Sequence, residues 1–285
     1  VIPAPFAYER PDSLDEALRA LAGGDGTTRV IAGGQSLLPL MKLRLARPDR
    51  LVDIGRFDEL RGVRELAGGG LAIGALTTWA ELLDDPRVMA WGALADAIPT
   101  IGDVQVRNRG TIGGSVAHAD PASDIAAPLL ALAAELTVRS VHGERRVPIG
   151  EVYAGPFMTT LAPGELITEV RLPAPDARLG SAYVALPHPA SGYPVAGVAA
   201  VVVRGSRGGP PERCAAAVTG VAETPFRALA VEEALLAGRS LAEAAALAAT
   251  GVRALSDPYA DREYRTAMAA VMAERALRAA MDRAA

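Results

Sequence analysis

An α+β fold in more than one layer is predicted by three features of this sequence. Strand-like and helix-like patterns alternate through residues 1–175, after which three strands come together and the remainder is helical. Pro and Gly cluster at 173–181, in "PAPDARLGS", where the pattern changes. Two Ser-x-x-Glu capping boxes, Ser13 to Glu16 and Ser240 to Glu243, mark helix starts on either side of that boundary.

The first capping box precedes "ALRALAGG", and Gly23-Gly24 ends that helix. "TRVIAGG" then reads as a short buried strand running into a glycine turn. "LVDIG" (51–55) and "GLAIGAL" (70–76) read as further strands. The stretch 77–101 is helical, in pieces, with Pro86 opening the second piece and Pro99 near its close. "LTVRSVHGERRVPI" alternates as a β-hairpin around His142-Gly143-Glu144, and "ELITEVRLP" is one more strand. Beyond the boundary, "YVALPH", "VAGVAAVVVRG" and "RCAAAVTGVA" form three strands, expected to be antiparallel. Residues 261–285 form a long amphipathic helix.

Composition narrows the function. Half of the 285 residues are hydrophobic, enough for a packed core. A net charge of -4 leaves no basic footprint, so nucleic acid is not an expected partner. No run reaches the roughly 20 apolar residues of a membrane span, and the N-terminus shows no signal pattern. A cytoplasmic protein with no membrane span is the expectation. Cys214 stands alone and His118, His142 and His188 are scattered. The chain is therefore expected to ligate no metal or iron–sulfur cluster of its own.

Two glycine turns carry the functional signal: Ala32-Gly33-Gly34-Gln35-Ser36 and Thr111-Ile112-Gly113-Gly114-Ser115. Neither belongs to a P-loop or to a Rossmann GxGxxG. Paired glycines let a ligand approach the backbone closely, and successive N–H groups there form an anion-binding concavity. Ser36, Thr111 and Ser115 add hydroxyls, so the two turns could grip a diphosphate from both sides. Read from physics alone, both are tight chain reversals before they are a ligand site. Lys42, the only lysine, follows the first turn and reads as a snorkelling surface residue.

"AGGQSLLPLMKLRLARP" followed by "RNRGTIGGSVAHADPASD" strongly resembles the FAD-binding medium subunit of the molybdenum hydroxylases, the xanthine dehydrogenase and carbon monoxide dehydrogenase family. The resemblance runs nearly end to end and rests on two motifs at the expected separation. It implies a two-subdomain FAD-binding fold of the p-cresol methylhydroxylase and vanillyl-alcohol oxidase type over 1–175, with subdomains about 1–55 and 56–175. A C-terminal domain over 176–285 would hold a three-stranded antiparallel sheet and a helix bundle. FAD would be held non-covalently, its diphosphate between a first turn of Ile31, Ala32, Gly33, Gly34, Gln35, Ser36, Leu37 and Leu38 and a second of Thr111, Ile112, Gly113, Gly114 and Ser115.

Further residues are carried over one at a time. Asp124 matches a contact to the adenosine half, or else caps a helix. Ile101 and Ile167 match apolar neighbours of the flavin, or else are core. Tyr193 takes an aromatic position that packs on the flavin or limits access to its edge, or else is structural. His118 reads as an ordinary loop histidine. Two departures bear on substrate and acceptor: Gln35 replaces a frequent His, and "LPHPASGYPVAG" lacks a basic pair, leaving His188 as the nearest candidate.

The implied role is electron transfer. A large subunit would carry the molybdenum cofactor, a small subunit [2Fe-2S] clusters, and the assembly would be a dimer of heterotrimers. Electrons would pass through FAD to NAD, oxygen or a quinone-linked acceptor, with no catalytic acid or base required of this chain. One alternative is a stand-alone flavin oxidase or reductase, with Arg262, Glu263 and Tyr264 over the flavin. Another is an assembly module whose glycine turns are structural.

Overall fold

The computed structural model describes residues 2–24, 26–205 and 209–284. The first layer is a three-stranded parallel sheet in the order Ala7–Glu9, Arg50–Asp53, Thr28–Ile31. Parallel neighbours need a crossover, and helices Leu14–Ala22 and Leu37–Lys42 supply the two. Ser13 caps the first of these by accepting from the Glu16 N–H at 3.2 Å, but Glu16 reaches back to the amide of Asp12, not to that of Ser13. Leu14, Ala17 and Leu18 then bury against Val52, Ile54 and Leu76.

The second layer is a five-stranded antiparallel sheet in the order Val63–Glu65, Leu71–Gly74, Leu166–Leu172, Glu135–Ser140, Gly143–Pro148. The hairpin forms, but it turns at Val141-His142, slightly before the expected His142-Gly143-Glu144, with Ser140 opposite Gly143. The stretch 77–101 is helical in three short α-helices and a 3₁₀ turn. Thr78 and Glu81 form a full capping box on the first of them, and Asp85 caps the second with Pro86 at its first position.

The third layer holds the three expected long strands, Leu179–Pro187, Pro194–Val203 and Arg213–Thr219, all antiparallel. A fourth strand of two residues, Phe226–Arg227, extends the three-stranded sheet of the expectation; it is too short to show any period in sequence. Every residue of Pro194–Val203 is buried because both faces are covered. Ala199 and Val201 enter the core shared with the second layer, while Ala196, Val198, Ala200 and Val202 face the C-terminal helices. Arg213–Thr219 divides in the same way, with Ala215 and Ala217 on one side and Cys214, Ala216 and Val218 on the other.

The last helix, Arg262–Arg283, lies on that sheet. Gly180 admits it, since a Cβ there would overlap the Ala280 carbonyl oxygen. Its Ala269, Met272, Ala273, Ala276 and Leu277 are core, so the apolar face of this helix packs on the sheet. Ala285, the last residue of the expected helix, lies outside the described residues. Among the described residues, no helix is long and apolar enough to cross a membrane.

Leu277 is fully buried, so Leu277→Ala should lower unfolding stability by about 2–5 kcal/mol. Leu236→Ala, at a side chain 41% exposed, should cost under about 1 kcal/mol. Equilibrium urea unfolding of the two variants measures the contrast, and equal losses would contradict this assignment of core and surface.

Candidate functional site

A cleft of about 1020 Å³ opens where the three layers meet. It is lined by every residue the resemblance implies except Leu38 and Ile112. Leu38 belongs to helix Leu37–Lys42 and folds back over Gly34, where a Cβ would lie 3.0 Å from its Cδ1. Ile112 is buried in the shared core.

Both motifs are a turn followed by a helix, not turns alone. The first leaves strand Thr28–Ile31, bends at Gly34 with φ +76°, and enters Leu37–Lys42. The second is the opening of helix Ile112–His118, with Thr111 as its cap. Two glycines inside its first turn, and Pro39 in the other helix, hide both helices from a propensity reading. Tertiary contact supplies what propensity lacks. A Cβ on Gly33 would overlap the Arg109 carbonyl oxygen, so the backbones on which the two motifs begin are in direct contact. A Cβ on Gly113 would lie 2.5 Å from that of Ala75.

Backbone donors separate the two motifs. In the second, the N–H groups of Ile112 and Gly113 donate to the carbonyls of Thr77 (3.1 Å) and Ala75 (2.9 Å). Gly114 donates to Thr111 Oγ1 at 3.2 Å and Ser115 to the Thr111 carbonyl at 3.0 Å. Those donors are used. In the first motif, no acceptor among the described residues takes the N–H of Gly33, Gly34, Gln35, Ser36 or Leu37. Five successive amides without an internal acceptor, on residues that line the cleft, are donors available to a ligand. The second motif contributes the wall opposite and the hydroxyls of Thr111 and Ser115, the latter 3.2 Å from Ser123 Oγ.

The other expected residues lie along the same cleft. Ile101 follows the 3₁₀ turn Ile98–Thr100, and Ile167 sits beside a bulge in strand Leu166–Leu172. Asp124 is 8% exposed and caps nothing: helix Ala126–Ala131 starts behind Ile125 with no side-chain cap. Its carboxylate accepts from the Tyr183 hydroxyl at 2.8 Å. Burial pushes its pKa up to about 6, opposed by hydrogen bonds from Tyr183 and Thr100. Tyr193 is 49% exposed at the rim; burial, then Asp120 and Asp124, raise its phenol pKa, so it stays protonated near neutrality. His118 ends its helix against Phe157, and burial lowers its pKa against the pull of Asp120. Lys42 is exposed at the end of its helix.

Sequence reasoning missed Tyr183. It lies in an apolar strand of the third layer, 59 residues from Asp124, and only the fold joins them. Its one signal is a single hydroxyl-bearing ring in a run otherwise fit for core. Trp79 is also missed: its ring lies 3.1 Å from where a Cβ of Gly110 would stand, just before the second motif.

Nothing here pairs a nucleophile with a base. Burial drives the Cys214 thiol up to about 12, which leaves it protonated. Among the described residues, no three His, Cys, Asp or Glu side chains are grouped to hold a metal. Arg262, Glu263 and Tyr264 stand off the cleft. What the cleft offers is unclaimed backbone donors, hydroxyls and apolar side chains, with no acid–base pair among them.

Comparison with known proteins gives the family. Residues 4–175 match the family model described as the FAD binding domain in molybdopterin dehydrogenase, and 181–280 that of the CO dehydrogenase flavoprotein C-terminal domain. The chain is 40% identical to the carbon monoxide dehydrogenase medium chain of Hydrogenophaga pseudoflava, with all of both chains covered. It is 37% identical to the 6-hydroxypseudooxynicotine dehydrogenase complex subunit alpha of Paenarthrobacter nicotinovorans, covering 99% of this chain and 96% of that one. The solved carbon monoxide dehydrogenase from Hydrogenophaga pseudoflava that lacks the Mo-pyranopterin moiety superposes over the full length of both chains with a TM-score of 0.95. The chain belongs to the FAD-binding medium subunits of the molybdenum hydroxylases, an oxidoreductase family.

Asp124 gives a pH-dependent expectation for the chain without cofactor. Its folded pKa, about 6, lies above the ordinary carboxylate value of 3.8, so the folded state holds the proton more tightly than the unfolded one. Stability should therefore fall as pH rises from about 4 through 6. Asp124→Asn should be close to wild type at pH 4 and more stable by roughly 1–3 kcal/mol at pH 7. Urea unfolding from pH 4 to 8 reads this, and a difference that does not vary with pH would refute it.

Proposed function

We propose that this chain is the FAD-carrying electron-transfer subunit of a heteromeric molybdenum-containing hydroxylase or dehydrogenase. The observation that carries the proposal is the row of five unclaimed amides, Gly33 to Leu37, facing a wall built on Thr111 to Ser115 across one long cleft. An anion there meets fixed dipoles that need no reorganisation. Its volume, at the upper end of ligand pockets, suits a dinucleotide-sized cofactor.

In this reading the first motif and the hydroxyls of Ser36, Thr111 and Ser115 hold the diphosphate. Ile101 and Ile167 give apolar contact to the ring system, and Tyr193 screens it from solvent at the rim. Asp124 stands beside Thr100, the neighbour of Ile101, and close enough to raise the Tyr193 phenol. That company favours a contact to the ring end of the cofactor over the adenosine half. Its carboxylate, fixed by the Tyr183 hydroxyl, keeps acceptor capacity for a donor in the cleft. Attachment is non-covalent.

Bound there, FAD would supply a carrier able to take electrons singly from metal clusters and pass them to an external acceptor. The residues of this chain orient it, exclude water and set the polarity around it. With Cys214 as the only cysteine, clusters belong to a partner. A small iron–sulfur subunit and a large molybdenum-cofactor subunit, arranged as a dimer of heterotrimers in the cytoplasm, complete the proposal.

The test is the visible spectrum of the full chain after incubation with FAD and desalting, with mass identification of what acid releases. Retained flavin bands and intact FAD are expected. Gly34→Ala forces a side chain into φ +76° and onto Leu38, and should weaken retention roughly tenfold. Folded protein that binds no flavin, alone or co-expressed with its partner subunits, would overturn the proposal.

A further inference from the structure

Tyr193 reaches the cleft on the loop 188–193, which joins strands Leu179–Pro187 and Pro194–Val203. One imidazole organises that loop. The N–H groups of Ala190 and Ser191 both donate to His188 Nδ1, each at 3.2 Å. The neck is closed by the His188 N–H on the Tyr193 carbonyl and the Gly192 N–H on the His188 carbonyl, both 2.8 Å. Gly192, at φ +77°, makes the reversal possible. Because Nδ1 accepts, the ring carries its proton on Nε2.

The ring is itself held. It meets Tyr259 with centroids 4.1 Å apart and planes inclined by 59°. The Tyr259 segment is pinned by Asp257, whose carboxylate accepts from the amides of Tyr259 and Ala260, both at 2.9 Å. Asp257 also pairs with Arg265 of the last helix. Arg265 is buried and donates to the carbonyls of Val195 (2.8 Å) and Gly220 (2.6 Å). Val195 follows Tyr193 by two residues, so one guanidinium anchors both the strand leaving the loop and the segment that props its histidine.

We infer that His188 is a positioning residue for Tyr193: the Arg265–Asp257–Tyr259–His188 chain clamps the loop and so sets how far Tyr193 screens the cleft. What the screen protects rests on the flavin reading above; the clamp itself does not. Loss of the Nδ1 acceptor frees two amides and releases the ring at the rim. The clamp thereby decides how easily a small acceptor reaches the cofactor.

The test uses the full chain as wild type and as His188→Leu, His188→Asn and Tyr193→Ala. Leucine keeps bulk and removes the acceptor, whereas asparagine offers an oxygen to the same two amides. Hydrogen exchange of the loop amides, read without cofactor, should be roughly tenfold faster in His188→Leu and near wild type in His188→Asn. Iodide quenching of bound flavin emission should rise in His188→Leu toward the Tyr193→Ala value and stay low in His188→Asn. Unchanged exchange in His188→Leu overturns the clamp. Faster exchange with quenching unchanged, while Tyr193→Ala raises it, overturns the control of access. Wild-type protein that retains no flavin, alone or co-expressed with its partner subunits, overturns the flavin reading and the screening role with it, and exchange still decides the clamp.

Discussion

The approach of Gly33 to the Arg109–Gly110 peptide is the constraint on which the site depends. Two backbones can come this close only where one lacks a Cβ. The contact joins the parallel three-stranded sheet to the helices over the antiparallel five-stranded one, and it places the two glycine motifs face to face. It also explains their division of labour. The second motif is stitched into the layer beneath through Thr77 and Ala75, so the amides of Ile112 and Gly113 are consumed in holding the wall still. The first motif leans on that wall and keeps its own amides free. A rigid wall with unclaimed donors opposite it is pre-organised, because no internal hydrogen bond must break before a ligand is bound.

The third layer belongs to the site as much as to the stability of the chain. Thr219 Oγ1 donates to the carbonyls of Pro121 (2.8 Å) and Ser123 (3.0 Å), and the Gly220 amide to that of Pro121 at 2.8 Å. Tyr183 adds its bond to Asp124. The segment 121–124 is thus fixed from the C-terminal sheet, whose middle strand is buried on both faces. The Asp96 carboxylate, bound to Arg283 and to the Tyr183 amide, ties the same sheet to the second layer from the other end. A cofactor cleft lined by both halves of the chain makes loading and packing one problem, not two.

Much of this was legible in the sequence, for identifiable reasons. The strands of the third layer read clearly because burial on both faces demands continuous apolar runs. The Ser240 box reads clearly because its side chain and backbone bonds are local, and both form. What was lost is what needs distance. Strands Ala7–Glu9 and Val63–Glu65 are three residues long and mostly exposed, so they carry no period. Helices Leu37–Lys42, Ile112–His118 and Ala126–Ala131 contain Pro or paired Gly and exist because of their surroundings. The glycine motifs were visible as motifs, yet their unequal donor supply was not, since it depends on Thr77 and Ala75. The same holds for Asp124, whose reading as a helix cap gives way to a pairing with a tyrosine of the third layer.

The distribution of charge favours the same kind of ligand. The chain is net negative, and Asp103, Asp120, Asp124 and Glu165 line the cleft itself, with Arg29 as a lining cation and Glu165 paired to Arg145. A dianionic ligand entering such a place would be repelled if held by compensating cations alone, and its affinity would vary steeply with salt. Backbone dipoles avoid this. Five amides in a row present a local positive concavity without adding a mobile charge, and a contact within hydrogen-bond reach outweighs carboxylates farther along the cleft. Glu165 is engaged by Arg145 and the Ala162 amide, and Asp103 and Asp120 each accept one backbone amide, which leaves Asp124 as the buried carboxylate with acceptor capacity to spare. A ligand hydroxyl or ring N–H is a donor, and an acceptor such as Asp124, held by Tyr183, meets it. Donors at one wall and acceptors along the rest match a molecule with an anionic middle and donor-rich flanks. That polarity, more than the glycines themselves, is what supports the proposal of a flavin dinucleotide in this cleft.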